Sequence, residues 1–273
     1  MWYFRINIII LLLFVYYSYI CPILNTTTMK YLLITLLTFT IFPLLSDLTN
    51  WSLYNHKVVH SNTNRSKLKY EGNGAKVYAN NNFDIYVFNP NKVTFGVSSS
   101  RPSGKKFYMN SNFFNKRAIG LVVENGVQKS RRVSGGGYFY VSGNQVNVQR
   151  GSCPRNIDYA SQTILWGIDN GVTNKSLMRQ RHAKQLTYRN IVGKNKNGDI
   201  IFIVSNFGGV VTIKDVIEEG VRQGIVEGVL FDGGTSVEYK FKDGWYSTSF
   251  TALSDAGKKL AGFGKPTTYI YVN

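Results

Sequence analysis

The chain of 273 residues is strongly basic, with 32 Lys and Arg against 15 Asp and Glu and a net charge of +17. Much of this excess lies between residues 101 and 194, where 16 Lys and Arg occur with three Asp and Glu. Such a charge favours anionic partners, although a composition rich in Lys and Asn can equally reflect an AT-rich genome. Nucleic-acid binding would rest on charge alone, because no recognised motif accompanies it, so it is not expected.

The two cysteines and three histidines exclude some classes of site. Cys and His show no metal-binding spacing, so zinc is not expected, and no acidic segment has the spacing of a calcium loop. The sequence therefore indicates no cofactor, although it leaves a divalent cation open. Cys21 lies in an apolar leader and Cys153 has no supporting His pattern, so neither an internal disulfide nor thiol catalysis is expected.

Residues 1–46 are predicted to be a hydrophobic leader with two apolar runs, Ile6–Leu24 and Tyr31–Leu45. The second run follows Met29, a candidate true start, and ends in a stretch that resembles a signal-peptide cleavage region. Either run is also long enough to remain as a membrane anchor. Both alternatives predict an exported protein, either secreted or bound to the membrane through the uncleaved leader.

Residues 47–74 are polar and predicted to be a linker, and the folded domain is expected to span residues 75–273. Its apolar pattern is mostly that of β-strands. Asn125-Gly126 follows one such strand and is a strong hairpin signal. The segment Asp199–Val204 continues after Asp199 as an unbroken apolar run, which indicates a central strand. Further strands are indicated at Phe83–Phe88, Lys92–Val97, Tyr138–Val141, Gln145–Val148 and Thr267–Val272.

One helix is well indicated between Thr212 and Gly224, because Thr212 and Asp215 have the spacing of a capping box. A second, shorter helix is expected at Leu253–Leu260. The first helix lies between the central strand and Val229–Asp232, which predicts a strand–helix–strand crossover with the two strands as parallel neighbours. The expected fold class is α+β: mixed, mostly antiparallel β-sheets with a few helices, and this one crossover carrying the site.

The crossover would end at Asp232, which two glycines, Gly233 and Gly234, and two hydroxyl residues, Thr235 and Ser236, follow directly. The pattern predicts a carboxylate at the tip of a buried strand, where the glycines let the backbone turn and a ligand approach. A strand end with a solvated aspartate would show the same pattern. The loop therefore needs support from elsewhere in the chain.

Four segments in one order supply that support: Asn110–Phe114, Gly120–Gly126, Arg189–Gly193 and Asp232–Ser236. Together they resemble the motifs of the phosphodiester glycosidase family, and the likeness covers roughly residue 75 to the C-terminus. The sequence departs from the family pattern where Ser111 and Asn112 replace small, glycine-like residues. It departs again where Asn190 replaces threonine and Thr235 replaces a third glycine.

The resemblance implies an exported hydrolase that cleaves the glycosidic bond of a sugar-1-phosphodiester. Such an activity would fit envelope or extracellular polysaccharide metabolism. Because the leaving group is a phosphate ester, one carboxylate could suffice where ordinary glycosidases use two. Asp232 is the candidate nucleophile or base, and Arg189 would clamp the phosphate. Asn110 would hold sugar hydroxyls or water. Substrate contacts are expected from the remaining motif residues: Asn112, Gly233, Gly234, Thr235 and Ser236, the glycine N–H groups forming an anion nest.

Each assignment has an alternative. Arg189 could be a surface arginine, Asn110 a turn residue, and Glu238 could point into the site or away from it. A non-catalytic module of the same fold that binds anionic polysaccharide would also explain the basic charge. The expected partner is thus a glycosyl phosphodiester or an anionic polysaccharide, with a membrane contact through the leader if it is uncleaved, and no nucleic acid.

Overall fold

The computed structural model describes residues 65–273, so the predicted leader and residues 47–64 of the predicted linker lie outside it. The first ten strands are β1 (Lys67–Gly72), β2 (Ala75–Ala79), β3 (Phe83–Phe88), β4 (Phe95–Ser98), β5 (Phe107–Asn110), β6 (Phe114–Asn115), β7 (Arg117–Ala118), β8 (Val122–Glu124), β9 (Val127–Ser130) and β10 (Gly137–Ser142). The next ten are β11 (Gln145–Arg150), β12 (Tyr159–Thr163), β13 (Leu165–Asp169), β14 (Val172–Thr173), β15 (Asn190–Asn195), β16 (Ile200–Ser205), β17 (Ile225–Leu230), β18 (Glu238–Asp243), β19 (Tyr246–Thr251) and β20 (Tyr269–Val272). The α-helices are α1 (Lys175–Arg179), α2 (Ile213–Arg222) and α3 (Asp255–Leu260), with two 3₁₀ turns at Arg181–Lys184 and Gly234–Ser236.

The strands form three larger sheets and one two-stranded ribbon. The eight-stranded sheet has the order β1-β2-β3-β16-β15-β17-β13-β14. The two five-stranded sheets have the orders β11-β10-β12-β8-β9 and β19-β18-β5-β20-β4, and β6 pairs with β7. The pairings between these strands are antiparallel, which confirms the prediction of mostly antiparallel sheets with few helices.

The central strands of the eight-stranded sheet are buried on both faces. Along β16, Phe202 and Val204 pack into the core shared with the five-stranded sheets, whereas Ile201 and Ile203 pack against the face that α2 covers. Side chains alternate between the two faces of a strand, so a strand buried on both faces needs an unbroken apolar run. This is why the central strand could be recognised in the sequence.

The hairpin turn and the helix cap predicted from short sequence patterns are both present in the structure. Asn125 and Gly126 have φ angles of 51° and 74° and join β8 to β9. The Thr212 hydroxyl accepts a hydrogen bond from the Asp215 N–H, and the Asp215 carboxylate accepts one from the Thr212 N–H at 2.7 Å, which completes the capping box. Both devices depend only on residues within four positions of each other, so spacing alone reveals them.

The strands on either side of α2, β16 and β17, run parallel, but the expectation that they are neighbours is wrong. β15 lies between β16 and β17 and pairs antiparallel with both of them. The Arg189–Gly193 motif of the sequence provides this intervening strand, which brings the motif beside the end of β17. The crossover was predicted from chain order, which does not show that an earlier strand inserts between the two.

The predicted domain start at residue 75 needs a correction as well. Residues 67–72, assigned to the polar linker, form β1 and pair antiparallel with β2. Most β1 side chains are exposed, as expected of a strand at the edge of a sheet, so its sequence is polar enough to resemble a linker. Among residues 65–273, no helix has the length and apolar character needed to cross a membrane.

Candidate active site

Asp232 lies two residues beyond the end of β17, and three hydrogen bonds hold its backbone. Its N–H donates to the Ser111 carbonyl at 2.9 Å. Its carbonyl accepts from the side-chain amides of Asn110 and Asn190, both at 2.8 Å. Three of the four motif segments recognised in the sequence therefore meet at the backbone of one residue.

The two asparagines use the other end of their amides as well. The Asn110 oxygen accepts from the Glu238 N–H and the Asn190 oxygen accepts from the Phe231 N–H, each at 3.0 Å. Both side chains are only 1% exposed. The Asn110 amide, which was expected to hold sugar hydroxyls or water, is thus engaged by backbone groups and positions the Asp232 loop.

The glycines after Asp232 allow the loop to lie against the start of β15. The Gly234 N–H donates to the Tyr188 carbonyl at 2.8 Å. A Cβ atom on Gly233 would lie 2.7 Å from the same carbonyl oxygen, and Gly234 has a φ of +65°, so both positions favour glycine. The Gly234 N–H, expected to take part in an anion nest, is thus engaged by a backbone carbonyl. A contribution of the Gly233 N–H to such a nest stays a prediction.

The Asp232 side chain is half-buried, and this burial raises its pKa from 3.8 to about 6. Hydrogen bonds from the Ser236 hydroxyl and the Gly233 N–H act in the opposite direction, as do the charges of Lys258 and Arg189. A carboxyl group with a pKa near 6 exchanges its proton close to neutral pH, which suits general acid–base chemistry.

Arg189 directly precedes β15, and its side chain runs past the Asp232 loop. Its Cδ lies 3.6 Å from the position a Cβ on Gly233 would take. One terminal nitrogen donates to the carbonyls of His182 and Gln185, at 3.0 and 3.2 Å. The guanidinium is therefore oriented by the 3₁₀ turn before it, and its charge stabilises the Asp232 carboxylate. A phosphate clamp by Arg189 stays a prediction.

Asn112 has a structural position instead of the expected contact with substrate. It is 1% exposed, and its amide nitrogen donates to the carbonyls of Gln162, at 2.7 Å, and Ile119, at 3.2 Å. Its oxygen accepts from the hydroxyls of Ser161 and Thr268. These bonds join segments that lie far apart in the chain, so the residue holds the sheets together beneath the site.

The two hydroxyl residues of the loop are Thr235 and Ser236. Both lie in the 3₁₀ turn at Gly234–Ser236 and both are half-buried. The Ser236 hydroxyl lowers the pKa of the Asp232 carboxyl group, so Ser236 favours the ionised form of this candidate residue. Direct contacts of Thr235 and Ser236 with substrate remain predictions.

A cluster of charged side chains lies next to this loop, and it was not predicted from the sequence. Glu238, at the start of β18, is 2% exposed and receives a bidentate pair of bonds from Arg101. Arg101 also pairs with Asp255 at 2.9 Å, and the Lys258 ammonium lies 3.7 Å from the Glu238 carboxylate. Glu238 thus points into a cluster of charged side chains. Only its place on the strand after the loop, three residues beyond Thr235, hinted at this.

Within residues 65–273, no three His, Cys, Asp or Glu side chains are placed to hold a metal ion together. A cavity of about 590 Å³ opens at the far end of the large sheet, beside Asn73, Asn195 and Asp199. It shares no residue with the Asp232 loop. We place the candidate active site at that loop because a carboxyl group with a raised pKa and the motif segments meet there.

Comparison with known proteins identifies the family. The family model of phosphodiester glycosidases matches residues 55–258, about three quarters of the chain. The chain belongs to the phosphodiester glycosidase family. No curated protein sequence matches it.

Among solved structures, it is similar to the catalytic domain of zebrafish N-acetylglucosamine-1-phosphodiester alpha-N-acetylglucosaminidase, in a form auto-inhibited by its pro-peptide. The identity is 15% and the TM-score 0.53, over 80% of this chain and 84% of the other. A Synechocystis protein has 12% identity and a TM-score of 0.48, over 76% of this chain and 61% of the other. A Burkholderia pseudomallei protein has 9% identity and a TM-score of 0.45, over 72% and 74%. At these identities, the zebrafish structure supports the fold alone.

Proposed function

We propose that the protein hydrolyses the glycosidic bond of a sugar-1-phosphodiester, with Asp232 as the general base. Family membership supports a glycosidase that acts on phosphodiesters. The observation that carries the residue assignment is the convergence of Asn110 and Asn190 on the Asp232 backbone, next to a carboxyl group whose burial raises its pKa to about 6.

In the proposed reaction, the Asp232 carboxylate accepts a proton from water as the water oxygen bonds to the anomeric carbon. The bond between that carbon and the phosphate oxygen breaks, and the electron pair leaves with the phosphate monoester. Since a phosphate ester is a weak base, the leaving group needs little protonation. Arg189, beside the loop, would balance the negative charge of the phosphate.

The decisive experiment follows hydrolysis of a methyl diester of a sugar-1-phosphate in water labelled with oxygen-18. Cleavage at the anomeric carbon places the label in the released sugar, whereas cleavage at phosphorus places it in the phosphate. Asp232→Asn is expected to abolish sugar release, and Asp158→Asn, at an exposed position in the loop before β12, is the matched control. Full activity of a folded Asp232→Asn variant, or label in the phosphate, would contradict the proposal.

A second candidate, a non-catalytic module that binds anionic polysaccharide, is favoured by the net charge of +17. It predicts that binding to a phosphate-containing polysaccharide weakens with added salt and survives Asp232→Asn. No turnover by the wild type together with such binding would favour the module.

The apolar run at residues 31–45 supports an exported location. Expression of the full chain in cells with an export pathway, followed by N-terminal sequencing of the mature protein, tests this. A sequence that starts just after residue 45 would indicate a cleaved leader. Recovery of the uncleaved protein in the membrane fraction would indicate an anchor, and recovery in the cytoplasm would contradict export.

A further inference from the structure

Trp245 is the most exposed large apolar side chain among residues 65–273, with 85% of its surface open to solvent. It lies in the two-residue turn between β18 and β19, directly after Gly244, which has a φ of +57°. Hairpin turns of this kind favour glycine at the first position and need no large apolar side chain at the second. Neither the turn nor the core therefore accounts for a tryptophan here.

The indole nevertheless has a defined position, because it packs against tyrosines from the edge strands of two different sheets. Its ring centroid lies 5.9 Å from that of Tyr246 on β19 and 6.4 Å from that of Tyr70 on β1, at interplanar angles of 82° and 71°. The two tyrosine rings stack at 5.4 Å, and Tyr70 also contacts the buried ring of Phe241. Aromatic rings favour such tilted contacts. Tyr70, Trp245 and Tyr246 thus form an aromatic cluster whose outermost ring is exposed.

Hydrogen-bonding groups border the aromatic cluster. The Tyr70 hydroxyl donates to one oxygen of the Asp243 carboxylate at 2.8 Å, and the side-chain amide of Asn73 donates to the other at 3.0 Å. The Lys106 ammonium lies 3.7 Å from this carboxylate and donates to the Asn73 carbonyl at 2.9 Å. These bonds hold several donors and acceptors in place at one side of the aromatic rings.

An exposed aromatic ring beside fixed polar groups matches the chemistry of a sugar. A pyranose ring with equatorial substituents has C–H groups on its faces and hydroxyl groups around its edge. One face can pack on an indole while the hydroxyls bond to polar side chains. A membrane surface fits less well, because membrane-facing aromatic belts contain several exposed rings and anionic lipids attract basic residues, whereas here a single exposed indole lies near a carboxylate.

We propose that the aromatic cluster is a second carbohydrate-binding site, which holds one pyranose unit of a glycan against Trp245. The site is separate from the Asp232 loop. β18 begins beside that loop at Glu238 and ends at Asp243, and at about 3.4 Å per residue these ends lie about 17 Å apart. A single sugar ring cannot span this distance. The inference goes beyond hydrolysis at Asp232 and does not require it.

The test uses the full chain with Asp232→Asn, so that no bond is cut, and with nitrogen-15 in its tryptophans. The probes are cellotetraose, chitotetraose and mannotetraose, which differ in their hydroxyl and acetamido groups. We expect at least one of them to shift the indole N–H signal of Trp245, which is assigned by its loss in Trp245→Ala. That substitution should weaken binding of the same probe about tenfold, as for loss of one stacked ring, and Trp245→Phe should restore most of the affinity.

Val172→Ala is the matched control, because it removes an exposed apolar side chain from the hairpin of β13 and β14. It should leave the affinity unchanged, and thermal unfolding should show that both alanine variants remain folded. No shift with any of the three probes, or equal affinities with and without the Trp245 indole, would overturn the inference. Vesicles of phosphatidylcholine and phosphatidylglycerol test the membrane alternative. Vesicle binding that depends on Trp245, without any effect of the sugars, would also overturn it.

The sugar titration and the hydrolysis assay can fail independently. Sugar binding through Trp245 in a chain that hydrolyses no sugar-1-phosphodiester would support the second site and contradict the proposed function. Hydrolysis by a chain whose Trp245 signal responds to no probe would do the reverse. Where both hold, Trp245→Ala is expected to raise KM for a polymeric substrate and to leave kcat unchanged, because the cluster contributes binding away from the reacting bond.

Discussion

Replacement of Asp232 by asparagine should make the protein more stable while it removes activity. In the folded state the carboxyl group ionises near pH 6, against an ordinary value of 3.8. The folded state thus holds the proton more tightly than the unfolded state. The tighter binding of this proton stabilises the folded state below about pH 4, and the stabilisation is lost as the pH rises through about 6. At 1.36 kcal/mol per pH unit, ionisation of the buried group costs about 3 kcal/mol at neutral pH. Asparagine does not ionise and avoids this cost.

Urea unfolding at pH values from about 4 to about 8, followed by circular dichroism, measures the difference. The Asp232→Asn variant should match the wild type near pH 4 and exceed it by about 3 kcal/mol at pH 7, or by roughly 6–12 °C in Tm. Asp158→Asn, at an exposed site, should show no such trend. A difference independent of pH, or a less stable variant at pH 7, would show that burial does not dominate at Asp232.

Three further variants test how the loop and its support are built. Asn190→Ala should lower the free energy of unfolding by about 2 kcal/mol and also lower activity, because it leaves buried backbone groups such as the Asp232 carbonyl with fewer hydrogen-bond partners. Urea unfolding measures the first effect and the hydrolysis assay the second. Gly233→Ala should reduce turnover more than stability, because the added Cβ meets the Tyr188 carbonyl and displaces the loop; kcat and Tm together test this. Thr212→Ala should cost about 1 kcal/mol in urea unfolding with kcat unchanged, because it removes a helix cap.

Features that depend on neighbouring residues could be predicted, and those that depend on distant contacts could not. The hairpin at Asn125-Gly126 and the cap at Thr212 follow from residue type and spacing. The apolar run before Asp232 also placed this residue correctly, just beyond the end of a buried strand. The burial of Asn112 and Lys258 depends on packing against segments that are remote in sequence. The residue type of a motif asparagine does not show whether its amide faces a ligand or a backbone carbonyl.

The structural positions of the motif asparagines change where substrate selectivity should be sought. Asn110, Asn112 and Asn190 are all buried and bonded to protein groups, so they fix the backbone around Asp232 and leave little room for a ligand contact. Only the half-buried side chains can meet a substrate without rearrangement. In the loop these include Thr235, where the family pattern has glycine, so its Cβ and methyl group reduce the space open to a sugar or phosphate. The shared motifs therefore explain the common fold and the placement of one carboxylate, whereas differences in substrate should follow from Thr235 and its half-buried neighbours.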